Sequence, residues 1–593
     1  MVGTVAVLNH INGVLNKNQD QLALGLIALY HTWKIQRDTW EEEVKERQKY
    51  VFATDTSTTS NSSLPWRNKT TIPKLAQIRD NLHANYMDAL FPNDGWLVWE
   101  GADNESSTLD KANILTEYAK NKAQQSELQK EIGKLVYDYI DYGNCFAEVH
   151  WVNETHVDPI TGEEETTYMG ARLERVSPFD ILFNPVAASF QKSGKFRRYV
   201  KSIGELKKEM KTRPDLQFDE KVFQELLERR RELSNFRTED LDKAEGYLAD
   251  GFGTMSEYYG SGVIELIEYK GDWYDATGDI LYENRIITIV DRMQIIRNVP
   301  NPSWFGRDNL LHVGWRDRPD NLYSMGVMDN LVGMQYRVDS MENSKADAWD
   351  QTLLPPKKIM GDVATFEWAP GADIHIPEDG DVIPMAPNPA IFQANSELAF
   401  YLQLMEEMAG APKEAMGMRS PGEKTMFEVQ QLGTAAMRIF NNKILKFSTQ
   451  MLEPAINMFV ETAKRNLSVS DVLRVVDSDI GVVSFMSITK EDLVSKGRLR
   501  PTGARHYAAK AQLMQNLMGI FNSPMGALVQ PDLSRKALTS LLEDTMGLSK
   551  FKLFRTNSAV SEQLETHRLT QEGQLSLQDE ATTPLEEGMI EPQ

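Results

Sequence analysis

The chain has 593 residues with 64 basic against 86 acidic side chains, a formal net charge of -22. That balance argues against a surface that grips nucleic acid through its phosphates, though not against one that guides nucleic acid without holding it. Hydrophobic residues at 41% and charged residues at 25% predict a mostly ordered chain, and usual domain sizes predict about three to five units.

The single cysteine, Cys145, rules out an internal disulfide and fits a reducing compartment. It lies in the apolar run DYGNCFAEV, which points to buried packing rather than a nucleophile. No apolar stretch is long enough to cross a membrane, and the N-terminus lacks the order of charges and apolar residues expected of a signal peptide.

Residues 18–50 read as a helix, amphipathic early and solvated later. After the polar TDTSTTSNSS, a second helix ends near Pro92, and Trp66, Trp96 and Trp99 around these connections are expected to anchor a core. A helical pattern over 109–142 gives way to strand-like FAEVHWVNETHV and TYMGARLERVSPFDILFNP, joined by the turn DPITGEEE. His150 and His156 read as polar strand residues, because no companion ligand set accompanies them. From Lys195 to Arg237 the chain is basic and then mixed in charge, with KSIGELKKEM and DEKVFQELLERRREL as helices showing a solvated face. A glycine-rich linker comes next. VIELIEYKGDWYDATGDILYENRIITIVDRMQIIRNV then predicts two or three antiparallel strands, with turns near Gly271–Asp272 and Gly278.

An irregular aromatic connection leads to a helix that begins at Val327, carries Leu331, Met334, Val338 and Met341 on one side, and stops before Pro355 and Pro356. Residues 353–392 form an excursion of short strands and proline-marked turns holding Lys357, Lys358, Trp368 and His375. A helix returns from Asn395 with Leu398, Leu402, Met405 and Ala409 on one side. The pattern predicts two helices forming a stalk with a small head between them.

The loop GAPKEAMGMRSPGEKT separates this helix from a longer one through Leu432, Ala436, Phe440, Phe447 and Met451. GMRSPGEKT nearly spells a phosphate-binding loop, but Glu423 stands between Gly422 and Lys424 where glycine is required. A helix rather than a strand leads into it, and the carboxylate would repel phosphate, so an ATPase is not expected. After Pro454, DVLRVVDSDIGVVSFMSI predicts strands; helices are expected at about 489–495, 502–521 and 533–544, then a loose acidic tail. No HExxH, GxSxG or clustered cysteine ligands are present, and neither an enzyme nor a cofactor is expected.

The order of these parts carries a resemblance. A strand-rich module, the turn LYSMG with Tyr323 and Gly326, a helix, a proline-rich excursion, a returning helix, the loop around Gly417 and a long helix through Arg438 and Pro454 resemble the portal proteins, or head–tail connectors, of tailed double-stranded DNA bacteriophages. VSPFDILFNP at 176–185 and TKEDLVSKGRLRPTGARHYAAKAQLMQNLM at 489–518 are similar to stretches of podovirus-type portals. The likeness spans nearly the whole chain, although no single motif in it is specific.

The resemblance implies an α+β portal-like fold: a wing at 1–324, stem helices at 325–350 and 391–410, a clip at 351–390, a tunnel loop at 411–424, a long wing helix with strands at 425–488, and a crown with tail at 489–593. It implies a ring of twelve subunits at a capsid vertex of the virion, assembled in the host cytoplasm. Its partners would be the major capsid protein, the terminase large subunit, then head–tail adaptor or tail proteins, and double-stranded DNA passing through the channel, with no membrane. The stem would pack through Leu331, Met334, Val338, Met341, Leu398, Leu402 and Met405. The clip would dock through Lys357, Lys358, Trp368 and His375. The tunnel loop would present Lys413, Glu414, Arg419, Glu423 and Lys424, a less basic set than many tunnel loops, which puts strong phosphate binding in doubt. A nonenzymatic scaffold or adaptor of another large assembly is the alternative.

Overall fold

The computed structural model describes residues 19–59, 67–92, 96–101, 107–157, 164–213, 216–234, 255–274, 280–303, 308–361, 375–385, 395–409, 440–467, 471–476, 483–488 and 497–501. The chain divides into two compact units, residues 1–88 with 122–466 and residues 89–121 with 467–593.

In the smaller unit, β1 (Leu97–Gly101) pairs antiparallel with Gly497–Pro501, setting Trp99 opposite Leu499. Trp96, Trp99 and Leu499 are buried, so the two tryptophans within the described residues are core anchors; Trp66 lies outside them. The expected strands after residue 470 form a hairpin of Asp471–Val476 with Val483–Ile488.

The larger unit opens with α1 (Gln19–Val51), close to its predicted span. Leu22, Ala23, Leu26, Ile27 and Tyr30 recur at helical spacing and pack on a five-stranded antiparallel sheet in the order β4–β5–β6–β7–β8. Its strands are β4 (Ile181–Phe183), β5 (Lys195–Ser202), β6 (Val263–Tyr274), β7 (Ile280–Val290) and β8 (Gln294–Pro300). Alternation assigns the two faces: Ile267 and Tyr269 of β6 meet α1, while Ile264 and Leu266 meet Leu206, Phe223 and Leu226 from the helices that come after β5.

The second sheet has three strands in the order β3–β2–β9, from β2 (Asn144–Val157), β3 (Glu164–Val176) and β9 (Leu310–Gly314). Cys145 is fully buried there, and its thiol donates to the Val313 carbonyl at 3.7 Å; burial pushes that thiol well up. Helix α4 (Leu128–Asp141) buries Ile132, Leu135, Val136, Tyr139 and Ile140.

The structure corrects four local expectations. The single helix over 109–142 is two, α3 (Ser107–Gln125) and α4, separated at Glu127, which takes a left-handed conformation (φ 53°). Strand β5 went unrecognised because KFRRYVKS is rich in cations. The expected turn at Gly271–Asp272 is instead an irregularity within β6, where Gly271 has φ 144°. The connection after residue 300 contains β9, β10 (Arg316–Arg318) and β11 (Asn321–Met325).

Two glycines, Gly143 and Gly326, fix where the next helix starts. Gly143 has φ 69°, and a Cβ there would lie 2.3 Å from the Gly326 nitrogen, so the turn from α4 into β2 sits directly against the base of that helix. The helix is α5 (Met328–Leu353); in its first turn the Asp329 carboxylate accepts from the Gly326 amide at 2.7 Å and pairs with buried Arg47. Packed against it is α6 (Asn395–Ala409). In the long helix expected after the loop, residues 440–447 are α-helical, Ser448–Leu452 form a π-helical turn and α7 (Glu453–Asn466) continues from it. The widened turn fits Pro454, whose ring would otherwise crowd the carbonyl four residues back; the Glu453 amide donates to Ser448 O, five residues away.

Candidate assembly surface

Helices α5 and α6 are joined through the excursion expected from the prolines. The α5 helix ends at Leu353, and the chain then forms a hairpin of β12 (Lys357–Met360) with β13 (Asp381–Pro384). The Met385 amide donates to Pro356 O at 2.8 Å, closing the base of the hairpin. Gly361 leaves β12 at φ 80°, and a Cβ there would meet Asp379 O at 2.7 Å.

The residues read as one side of each helix, and expected to pack the stem, turn inward within the single chain. Leu331, Val338 and Met405 are buried, and Met334, Met341, Leu398 and Leu402 are half-buried. Lys345 Nζ donates across the pair to Asn395 Oδ1 at 3.4 Å. Of the hairpin residues expected to dock a partner, Lys357 is half-buried, Lys358 and His375 are exposed, and Trp368 lies outside the described residues. So do Lys413, Glu414, Arg419, Glu423 and Lys424 of the loop at 411–424.

Sequence reasoning missed a second apolar surface. On α6, Phe400 is 62% exposed, Met408 is exposed and Leu404 between them is half-buried, a stripe at i, i+4 and i+8 separate from the inward one. Trp349 (56%), Leu353 and Leu354 (71%) are exposed at the end of α5, and Ile359, Met360, Ile383 and Met385 are exposed on the hairpin. The signal was available: α6 carries apolar residues at 398, 402, 405 and 409 and again at 400, 404 and 408, more than one packed face uses. Single exposed apolar residues are ordinary; this many along one helical pair and its tip make it the candidate contact surface.

The other candidate is a cleft of about 1110 Å³ in the larger unit, where the two sheets meet α7. Its floor is charged and self-neutralised. Glu148 of β2 pairs with Lys270 of β6 and Arg197 of β5, and accepts from Asn309 Nδ2 at 2.7 Å. Glu268 takes Lys270 at 3.1 Å and Arg297 at 3.3 Å. Asp308 takes Lys195 at 3.0 Å. Burial opposes ionisation of Glu268 and Asp308, but the cations beside them outweigh it and hold both carboxyls below their usual range. His150 faces the cleft; burial first, then Arg213, Arg172, Lys201 and Lys270, push it down to about 3, so it is neutral near pH 7. His156 falls in β2 as expected of a strand residue. Among the described residues, no group of three or more His, Cys, Asp or Glu is arranged to hold a metal, and no helix is long and apolar enough to cross a membrane. The cleft thus joins two sheets by ion pairs, whereas the helical pair offers unsatisfied apolar surface.

No protein-family model matches the chain, and no curated protein matches it.

Proposed function

We propose that this chain is a portal-type subunit: a non-catalytic protein that assembles into a ring about a DNA channel at a capsid vertex, docking a packaging motor and then tail adaptors. The observation that carries the reading is the second apolar face of α6, with Phe400, Leu404 and Met408 outside the seam shared with α5. A helix apolar on two sides needs two neighbours, and repeated head-to-tail contacts between copies close into a ring when the rotation permits. The hairpin at the end of the pair suits a docking tip. The acidic balance of the chain suits a wall that repels or barely holds DNA. In this reading the loop at 411–424 faces the channel, and Glu414 and Glu423 keep Lys413, Arg419 and Lys424 from trapping phosphate.

Native mass measurement and negative-stain imaging of the purified chain test the proposal. A large closed ring with an axial channel is expected, and Phe400→Asp should dissolve it into folded monomers. A stable wild-type monomer at neutral pH and mild salt would overturn the reading.

A further inference from the structure

One side of α5 is polar in a helix otherwise packed through Leu331 and Val338. Gln335, Asp339, Asn343 and Asp347 recur every four residues, and each bonds the extended segment 67–72. Gln335 Nε2 donates to Ile72 O at 2.7 Å and Thr71 Oγ1 donates to Asp339 Oδ1 at 2.9 Å. The Thr70 amide donates to Asn343 Oδ1, and Asn343 Nδ2 donates back to Thr70 O, both at 2.8 Å. The Arg67 and Asn68 amides donate to the two oxygens of Asp347 at 3.0 and 2.9 Å, and Asn68 Nδ2 reaches Asp347 and Asp350. Gln335, Asp339 and Asn343 are buried, yet every residue from Arg67 to Pro73 is exposed or half-exposed.

We propose that residues 67–72 are a releasable clasp on α5, which opens and recloses while the sheets stay folded. The asymmetry of burial is the reason. Lifting the segment draws away one half-buried apolar side chain, Ile72, and frees the Thr56 amide from Lys69 O; what it otherwise uncovers are amides and carboxylates that water can satisfy. Separating α5 from α6 would instead expose Leu331, Val338 and Met405 to water. Segments with few buried apolar contacts open at a small fraction of the global unfolding free energy. A face built from four polar side chains at one-turn spacing, where apolar residues would pack more tightly, is suited to reversible opening. The clasp concerns the chain itself and stands whether or not copies assemble.

Amide hydrogen exchange on the full chain tests it. The amides of Arg67, Asn68 and Thr70 should exchange at least about a hundredfold faster than the cross-strand amides of β6 and β7. Asn343→Ala should accelerate exchange at Thr70 about tenfold more, with β6 and β7 unchanged. Asp347→Ala, at a half-exposed site, should do the same at Arg67 and Asn68. If the wild-type amides at 67–70 exchange in step with β6 and β7, or if either substitution raises exchange across the sheets in parallel, the segment is a fixed part of the fold and the clasp is refuted.

Discussion

The ammonium of Lys74 and the carboxylate of Glu406, 332 residues apart in the chain, meet in a buried ion pair that ties the start of α2 (Lys74–Leu90) to the end of α6. Both side chains are nearly inaccessible to water, so each has exchanged hydration for the other. Glu406→Ala, which strands a buried ammonium, should destabilise the larger unit by about 3–5 kcal/mol. The double substitution Lys74→Met with Glu406→Leu should recover most of that loss. Urea denaturation of the two singles and the double checks it; a double variant as unstable as the single would mean the pair is not the main interaction.

Glycines with different surroundings should respond in opposite directions. At Gly143 an alanine would need both a left-handed conformation and displacement of Gly326, so Gly143→Ala should cost about 1–3 kcal/mol. Gly204 lies in the helix Ile203–Thr212, and an added Cβ meets nothing within 4 Å, so Gly204→Ala should stabilise by about 0.5–1 kcal/mol. Melting temperatures of the two variants should move apart.

The pH dependence is set in part by buried groups of opposite sense. His150 and His312 are pushed down to about 3, in each case first by burial. As pH falls below about 6.5 the unfolded chain takes up protons that these folded histidines refuse, so their stabilisation is present above that pH and is lost toward 3. Asp138 is pushed up to about 6, burial outweighing Arg175, with Asp141, Arg79, Tyr142 and Cys145 close by. Between about 6 and 3.8 the folded chain keeps a proton the unfolded chain has released, so this group adds stability as pH falls. Asp141, Glu174, Asp180, Asp291 and Asp339 are raised by burial as well and act in the same sense as Asp138, so the test lies in how each substitution changes the slope. His312→Gln should make stability fall less as pH drops, and Asp138→Asn should make it fall more. Urea midpoints across roughly pH 4–7 provide the check.

On the proposed portal-type reading, replacing residues 353–391 by a short flexible linker should leave the proposed ring intact. Helices α5 and α6 remain paired, and the added closure entropy is modest. Binding to a packaging motor or tail adaptor should be lost. Pull-down of either partner by the shortened ring at wild-type strength would place the docking surface elsewhere.

Helical and strand periodicity were enough to read α1, the β2–β3 hairpin, the α5–α6 pair with its proline-marked excursion, and the apolar sides of the pair through Leu331, Val338 and Met405, though not that they face each other within one chain. Such elements announce themselves because each buries one face in a fixed period, a property of neighbouring residues alone. Strand β5 could not be read that way. Lys195, Arg197 and Arg198 look like a solvated face until Asp308, Glu148 and Glu265, distant in sequence, come beside them and neutralise them. The same holds for Lys74 with Glu406, for the clasp along Gln335–Asp347, and for the choice of which apolar stripe of α6 faces inward. Side-chain type sets what a residue needs; only tertiary packing decides which partner, far away in the chain, supplies it, because the energy of a buried charge or polar group depends on the geometry of that encounter.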